Sequence, residues 1–151
     1  MRQSLAVSTL FKESILLPPE NVSNSLLGYL FFREKLLEIV LGDSETNILY
    51  WVGKELGNSL IVQVIEEIED IFLQLDLGQV QLDSQSSSFL CYRVTHNRYN
   101  LLRKERLEKT LHLEAGLMAG IAENVLKRYC AATVQMDQKN GMSALIQIAV
   151  D

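Results

Sequence analysis

Cysteine and proline are almost missing from this chain of 151 residues, with two of each. Cys91 and Cys130 are too few to staple a small secreted domain. The prolines stand together at Pro18-Pro19, which forbids a helix running through that point. No apolar run approaches the ~20 residues needed to cross a bilayer. The longest, around Leu26 to Phe32, is interrupted by Gly28 and closed by Arg33. Stable membrane insertion is therefore not expected. A secretory signal is missing as well: the stretch from Leu5 to Phe11 carries Ser8 and Thr9 and runs into Lys12 and Glu13 without a small-residue cleavage site. A cytoplasmic location is the expectation. Cations are also scarce, with 14 Lys and Arg against 19 Asp and Glu and a net charge of −5. That balance disfavours non-specific nucleic-acid binding, which needs a surplus of positive charge, so no nucleic-acid partner is expected.

What is present is ordinary for a globular protein, 48% hydrophobic and 22% charged, in a length that can bury a core in one domain. Residues 1–20 read as an arm. Leu10, Phe11, Ile15, Leu16 and Leu17 make it too apolar for a free tail, and it is expected to pack on its own domain or on a second subunit. From residue 21 onward one α+β domain is expected. A first helix starts near Asn21 or Ser23 and runs to Leu41, with Leu26, Leu30, Leu37 and Leu41 at helical spacing. Gly42-Asp43 stops it. A second helix carries residues 48–56, and a third spans roughly 62–75, with Ile65, Ile68, Phe72 and Leu75 on one face and Glu66, Glu67, Glu69 and Asp70 on the other.

The period then changes to two. Val80 and Leu82 alternate with Gln81 and Asp83, Ser84 to Ser88 turns the chain, and residues 89–96 read as a second strand. Residues 97–110 are basic and loosely periodic and are expected to form an exposed loop, with a helical turn as the alternative. A long apolar helix over 111–129 follows. Strands over 132–136 and 143–150 flank Lys139-Asn140-Gly141, a strong hairpin signal. The expected architecture is a twisted four-stranded antiparallel sheet made of two hairpins, with about four helices packed on one face.

Two helices share a device. Gly53 and Gly57 are four residues apart, as are Gly116 and Gly120, with Ala115, Ala119 and Ala122 beside the second pair. An interior helical glycine costs about 1 kcal/mol against alanine, and close backbone approach is the usual return. Intradomain packing is the preferred reading over a ligand contact, and Gly57 has a C-cap as its alternative. Glu114 reads as a first-turn carboxylate capping its helix rather than as a perturbed acid. Trp51 is the single indole. Cys91, His96, His112 and Cys130 match no metal-ligand spacing, and no nucleophile elbow, phosphate loop or zincin motif is present. No cofactor and no catalysis are expected. From Arg93 to Lys109 six basic residues face two acidic ones, a net +4 that leaves −9 for the rest. This stretch reads as a solvated loop balanced by Glu105 and Glu108.

The segment Ile48-Leu-Tyr-Trp-Val-Gly-Lys-Glu-Leu56, followed after a hairpin by Leu113-Glu-Ala-Gly-Leu-Met-Ala-Gly120, resembles the YslB-like family of uncharacterised Firmicute proteins. More distantly it resembles the 4-vinyl-reductase domain and the TRAPP vesicle-tethering subunits. The resemblance covers about residues 25–150. It implies the TRAPP-like fold described above, often dimerising through helices. In the wider superfamily that fold scaffolds assembly, holds hydrophobic molecules, or in one branch holds haem. The haem-binding Tyr-x-Ser-x-Arg signature is absent here, Lys139-Asn-Gly-Met-Ser143 replaces the cysteine-bearing metal ending with a plain turn, and neither cysteine matches the acylated one of TRAPP subunits.

Two functional readings follow. The first is a non-catalytic homodimeric adaptor whose interface includes Leu26, Leu30 and Leu37. The second is a carrier or sensor that holds an apolar small molecule between sheet and helices, against Leu113, Leu117, Ile121, Cys91 and Trp51. The protein partner is not named by the sequence.

Overall fold

A computed structural model describes residues 24–139 and 141–151. The expected arm, the caps at Asn21 and Ser23, and Asn140 of the second turn lie outside those residues.

The chain first forms α1 (Asn24–Leu30), a π-helical turn (Phe31–Leu36) and α2 (Leu37–Leu41) without leaving the helical course. The π turn is closed by the Leu37 N–H donating to the Phe32 carbonyl. Gly42–Ser44 makes a single 3₁₀ turn, and α3 (Glu45–Ser59) follows. After irregular turns comes α4 (Glu67–Gln74), whose start is held by Glu67 accepting from the Gln63 and Val64 amides. The hairpin β1 (Gln79–Gln85) and β2 (Phe89–Thr95) leads to a 3₁₀ helix over Asn97–Leu101, then α5 (Lys104–Thr110) and α6 (His112–Leu126). The hairpin β3 (Cys130–Asp137) and β4 (Ser143–Val150) ends the fold.

All strand pairs are antiparallel, and the sheet order is β1-β2-β4-β3, so the two hairpins meet through β2 and β4. Cross-strand partners share a face. Val80, Tyr92, Val94, Ala144, Ile146 and Ile148 are all buried, whereas Gln79, Gln81, Thr133, Gln135, Gln147 and Ala149 are exposed. The helices therefore cover one side of the sheet, and the other side faces solvent. Under the covered side lie Ile68 and Phe72 of α4, Tyr99 and Leu102, Leu107 of α5, and Met118, Ile121 and Ala122 of α6. Where Leu82 passes to Ser84 the register shifts, a bulge of the kind that blunts an edge strand.

The α+β class and the antiparallel four-stranded sheet match the expectation, but the helix count does not. Among the described residues three unbroken α-helices reach eight residues, α3, α4 and α6, rather than four. The expected first long helix is divided by its π turn. The segment 97–110 is also not an exposed loop. It is helical in both halves and buries Tyr99, Leu102, Arg106, Leu107 and Thr110. Its basic residues hid the apolar positions, because arginine that is paired inside a protein looks the same in sequence as arginine in water.

Candidate functional site

The paired glycines bring α3 and α6 together with their chain directions parallel. A Cβ at Gly53 would strike the Leu113 carbonyl oxygen, and one at Gly57 the Leu117 carbonyl oxygen. Reciprocally, a Cβ at Gly116 would strike the Tyr50 carbonyl oxygen and one at Gly120 that of Lys54. All four approaches are closer than 3.0 Å, nearer than real Cβ atoms come. Contact rather than a void explains these residues, and Gly57 lies inside α3 instead of capping it. Along the same seam Lys54, 4% exposed, donates to the Cys130 carbonyl at 2.8 Å and pairs with Glu123 at 3.0 Å, its ammonium 4.1 Å from the Tyr129 ring centroid. Tyr50 accepts from the Ala132 amide on the edge strand β3. Burial pushes the Glu123 carboxyl upward, but hydrogen bonds from the Cys130 amide and Lys54 hold it below its usual range.

A second arrangement joins the π turn to the 103–114 segment through charge. The wider turn carries two neighbours inward, Arg33 at 8% exposed and Glu34 at 1%. Arg33 Nη1 donates to Glu114 Oε2 and to the Thr110 carbonyl, both at 3.1 Å, and Nη2 donates to Glu114 Oε1. Arg103 Nε donates to Glu34 Oε1. Arg106 forks onto Glu45 at 2.7 and 2.6 Å and also donates to the Arg33 carbonyl at 2.9 Å. Glu114 is thus neither a cap nor a free acid but the buried partner of Arg33. The arginines of the basic stretch are balanced by carboxylates from elsewhere in the chain rather than by Glu105 and Glu108. Arg93 meets Asp83 and Asp137, and Arg98 meets Asp76.

The buried guanidinium groups of Arg33 and Arg106 are matched by the carboxylates of Glu114 and Glu45. Burial pushes the Tyr29 hydroxyl up to about 12 and that of Tyr99 well above its ordinary value, so both stay protonated at neutral pH. Burial, with Glu123 nearby, likewise raises the Cys130 thiol. No group of three or more His, Cys, Asp or Glu among the described residues can hold a metal. No helix among them is long and apolar enough to cross a membrane.

Of the residues expected to line an apolar ligand site, Leu113, Leu117 and Ile121 share one face of α6, and Cys91 and Trp51 do not join them. Leu117 and Ile121 are core residues at 5% and 0% exposure, and the Leu113 backbone is pressed against Gly53. Cys91 neighbours the buried Tyr92 on β2 and therefore points to the opposite, solvent-facing side of the sheet. Trp51 stands 59% exposed on the outside of α3. Of the expected interface residues, Leu30 is 2% exposed within the core, and Leu26 packs against that core; Leu37 is half-buried. The exposed apolar side chains lie one step round the helices instead. Among them are Phe31, Phe32, Ile39 and Val40 on the first helical course, and Ile48, Val52 and Leu56 on α3, beside Trp51; others, Ile61, Val64, Leu73 and Leu75, lie in and around α4. Sequence spacing reveals an apolar stripe but cannot say which of two adjacent stripes the core takes.

An uncharacterised protein of Methanocaldococcus jannaschii is 25% identical over 114 residues, which is 73% of this chain, and this chain spans 66% of that relative's length. The crystal structure of a vinyl-4-reductase family protein from the same organism matches with a TM-score of 0.60 at 19% identity, covering 95% of this chain and 88% of that one. A trafficking protein particle complex subunit 3 from Naegleria fowleri, covalently bound to palmitic acid, gives a TM-score of 0.40 at 11% identity, covering 84% and 89%. The family model described as "Protein of unknown function (DUF2507)" matches residues 26–151. The chain belongs to that family.

Proposed function

We propose that the protein is a non-catalytic adaptor that works as a homodimer, joined through the outward faces of the first helical course and α3. The observation that carries this reading is the apolar surface on those helices. Ile39 is 79% exposed, Val40 66%, Trp51 59% and Phe32 53%, with Leu56, Val52 and Ile48 following on α3. A monomer seldom leaves so much large apolar side chain in water on one layer. Among the exposed positions of α3 only Glu55 carries a charge. The α3 part of this face can therefore meet its own copy with little repulsion, which favours a two-fold interface. The core beneath is closed by backbone contact between α3 and α6, which supports a working surface on the outside.

Light scattering at micromolar concentration tests this. The expected mass is twice 17.1 kDa, and the double variant Ile39→Asp, Val52→Asp is expected to fall to the single mass with its far-UV spectrum unchanged. A wild-type chain that stays at 17.1 kDa across that range overturns the reading.

A further inference from the structure

We infer that the trough between α4 and the free edge of β1 docks an extended partner segment that carries lysine or arginine beside an apolar anchor. The inference rests on the adaptor reading above, since an adaptor needs a surface apart from the one that pairs its own copies. Two adjoining hollows, of about 360 Å³ and about 750 Å³, share Leu73, Gln79, Arg93 and Thr95. The smaller lies beside β1, against Gln79, Val80 and Gln81, and the larger continues past the strand end to His96, Asn100 and Ser143; β1 ends the sheet order and has no strand on its outer side among the described residues. An edge of unpaired backbone groups beside a hollow suits an extended chain, which can add hydrogen bonds along the strand while alternate side chains settle into pockets.

The chemistry of the rim selects the occupant. Residues 61–76 contain five carboxylates and no basic residue. Glu67 is used at the start of α4, and Asp76 is held by His96 and Arg98. Glu66, Glu69 and Asp70 are exposed, and none has an ion-pair partner among the described residues. With Leu73, 58% exposed, they fall at positions i, i+3, i+4 and i+7 and so share one face of the helix. Arg33, Arg93, Arg98, Arg103 and Arg106 are matched by carboxylates, Arg93 in the floor of the trough being held by Asp83 and Asp137. Glu69 lines the smaller hollow, and Glu66 and Asp70 share its helix face, so unpaired negative charge stands beside the trough. Ile61 at 96% and Val64 at 51% exposure extend the apolar component before the helix begins. A basic, leucine-bearing strand complements both features, while an acidic segment would be repelled.

The test is fluorescence anisotropy with a labelled nonapeptide of alternating lysine and leucine, read against glutamate-leucine and lysine-serine peptides of the same length. The lysine-leucine peptide is expected to bind saturably and at least ten-fold more tightly than either control, weakening as salt rises. The variant Glu69→Lys, Leu73→Ser is expected to lose at least ten-fold in affinity, and Glu66→Lys, Asp70→Lys provides the same readout should the first variant fold poorly. Equal affinity for all three peptides, or affinity that the variants leave unchanged, overturns the inference. If the variants instead halve the scattering mass, a second copy occupies the trough. If they speed hydrogen exchange of residues 5–17, the chain's own arm does. Both outcomes also overturn it. Scattering on the same samples keeps the two proposals apart: a lasting dimer that ignores the peptide removes this inference alone, and a monomer that binds it removes only the dimer.

Discussion

A single methyl group at Gly116 would have to displace the Tyr50 carbonyl, and backbone cannot swing aside as a side-chain tip can. Over-packing of that kind costs about 1–3 kcal/mol or more, while alanine returns about 1 kcal/mol of helix propensity. Gly116→Ala is therefore expected to lower stability by about 2 kcal/mol, seen as a lower urea midpoint with an unchanged slope. Gly28 is the opposite case. It lies inside α1, and a Cβ there meets nothing within 4 Å. Gly28→Ala is expected to raise stability by up to about 1 kcal/mol. The same substitution with opposite signs separates contact from propensity. A gain from Gly116→Ala would contradict the described α3–α6 seam, and a loss from Gly28→Ala would contradict the open space beside α1.

At the scale of elements, the first helical course is tied to the 103–114 segment by charge, which behaves unlike an apolar seam. Removing one partner of a buried pair strands the other, at about 3–5 kcal/mol, whereas an apolar replacement of both is often neutral or stabilising. Arg33→Met alone is expected to cost about 3 kcal/mol or more, because Glu114, 2% exposed, is then left buried without its partner. Arg33→Met with Glu114→Leu is expected to recover most of that loss in a double-mutant cycle on thermal or urea unfolding. Additive losses would mean the two side chains do not act as a pair. This scale also separates what the sequence makes legible from what it does not. The strands announce themselves by alternation, as Val80 and Leu82 do, and the close helices by the cost of their glycines. Arg33 and Glu114 stand 81 positions apart, and no spacing rule connects residues that far along a chain. The π turn is silent for the same reason: its inward pair, Arg33 and Glu34, looks like any two adjacent surface charges. The candidate site suffers most. Leu30 and Ile39 belong to neighbouring apolar stripes, and only the packed core decides which one is left outside.

For the whole molecule, the distribution of charge narrows the ways two copies can meet. A net charge of −5 on each copy repels the other, and the unpaired carboxylates of Glu66, Glu69 and Asp70 make the α4 side the least favourable place for self-contact. The outward face of α3 carries Glu55 as its only exposed charge, so association that buries Trp51, Val52 and Leu56 encounters the least repulsion. If folding and pairing are coupled in this way, stability must depend on concentration, since mass action favours the paired native state over separate unfolded chains. A hundred-fold rise in concentration adds about 2.7 kcal/mol per dimer, which for a chain of this length corresponds to a rise in Tm of about 3–5 °C. The variant Ile39→Asp, Val52→Asp is expected to melt at one temperature whatever its concentration, because its unfolding no longer includes dissociation. Added salt is expected to raise the wild-type Tm at low protein concentration, by screening the like charges that oppose pairing. A wild-type Tm that does not move with concentration would place the exposed apolar residues of α3 outside any self-association.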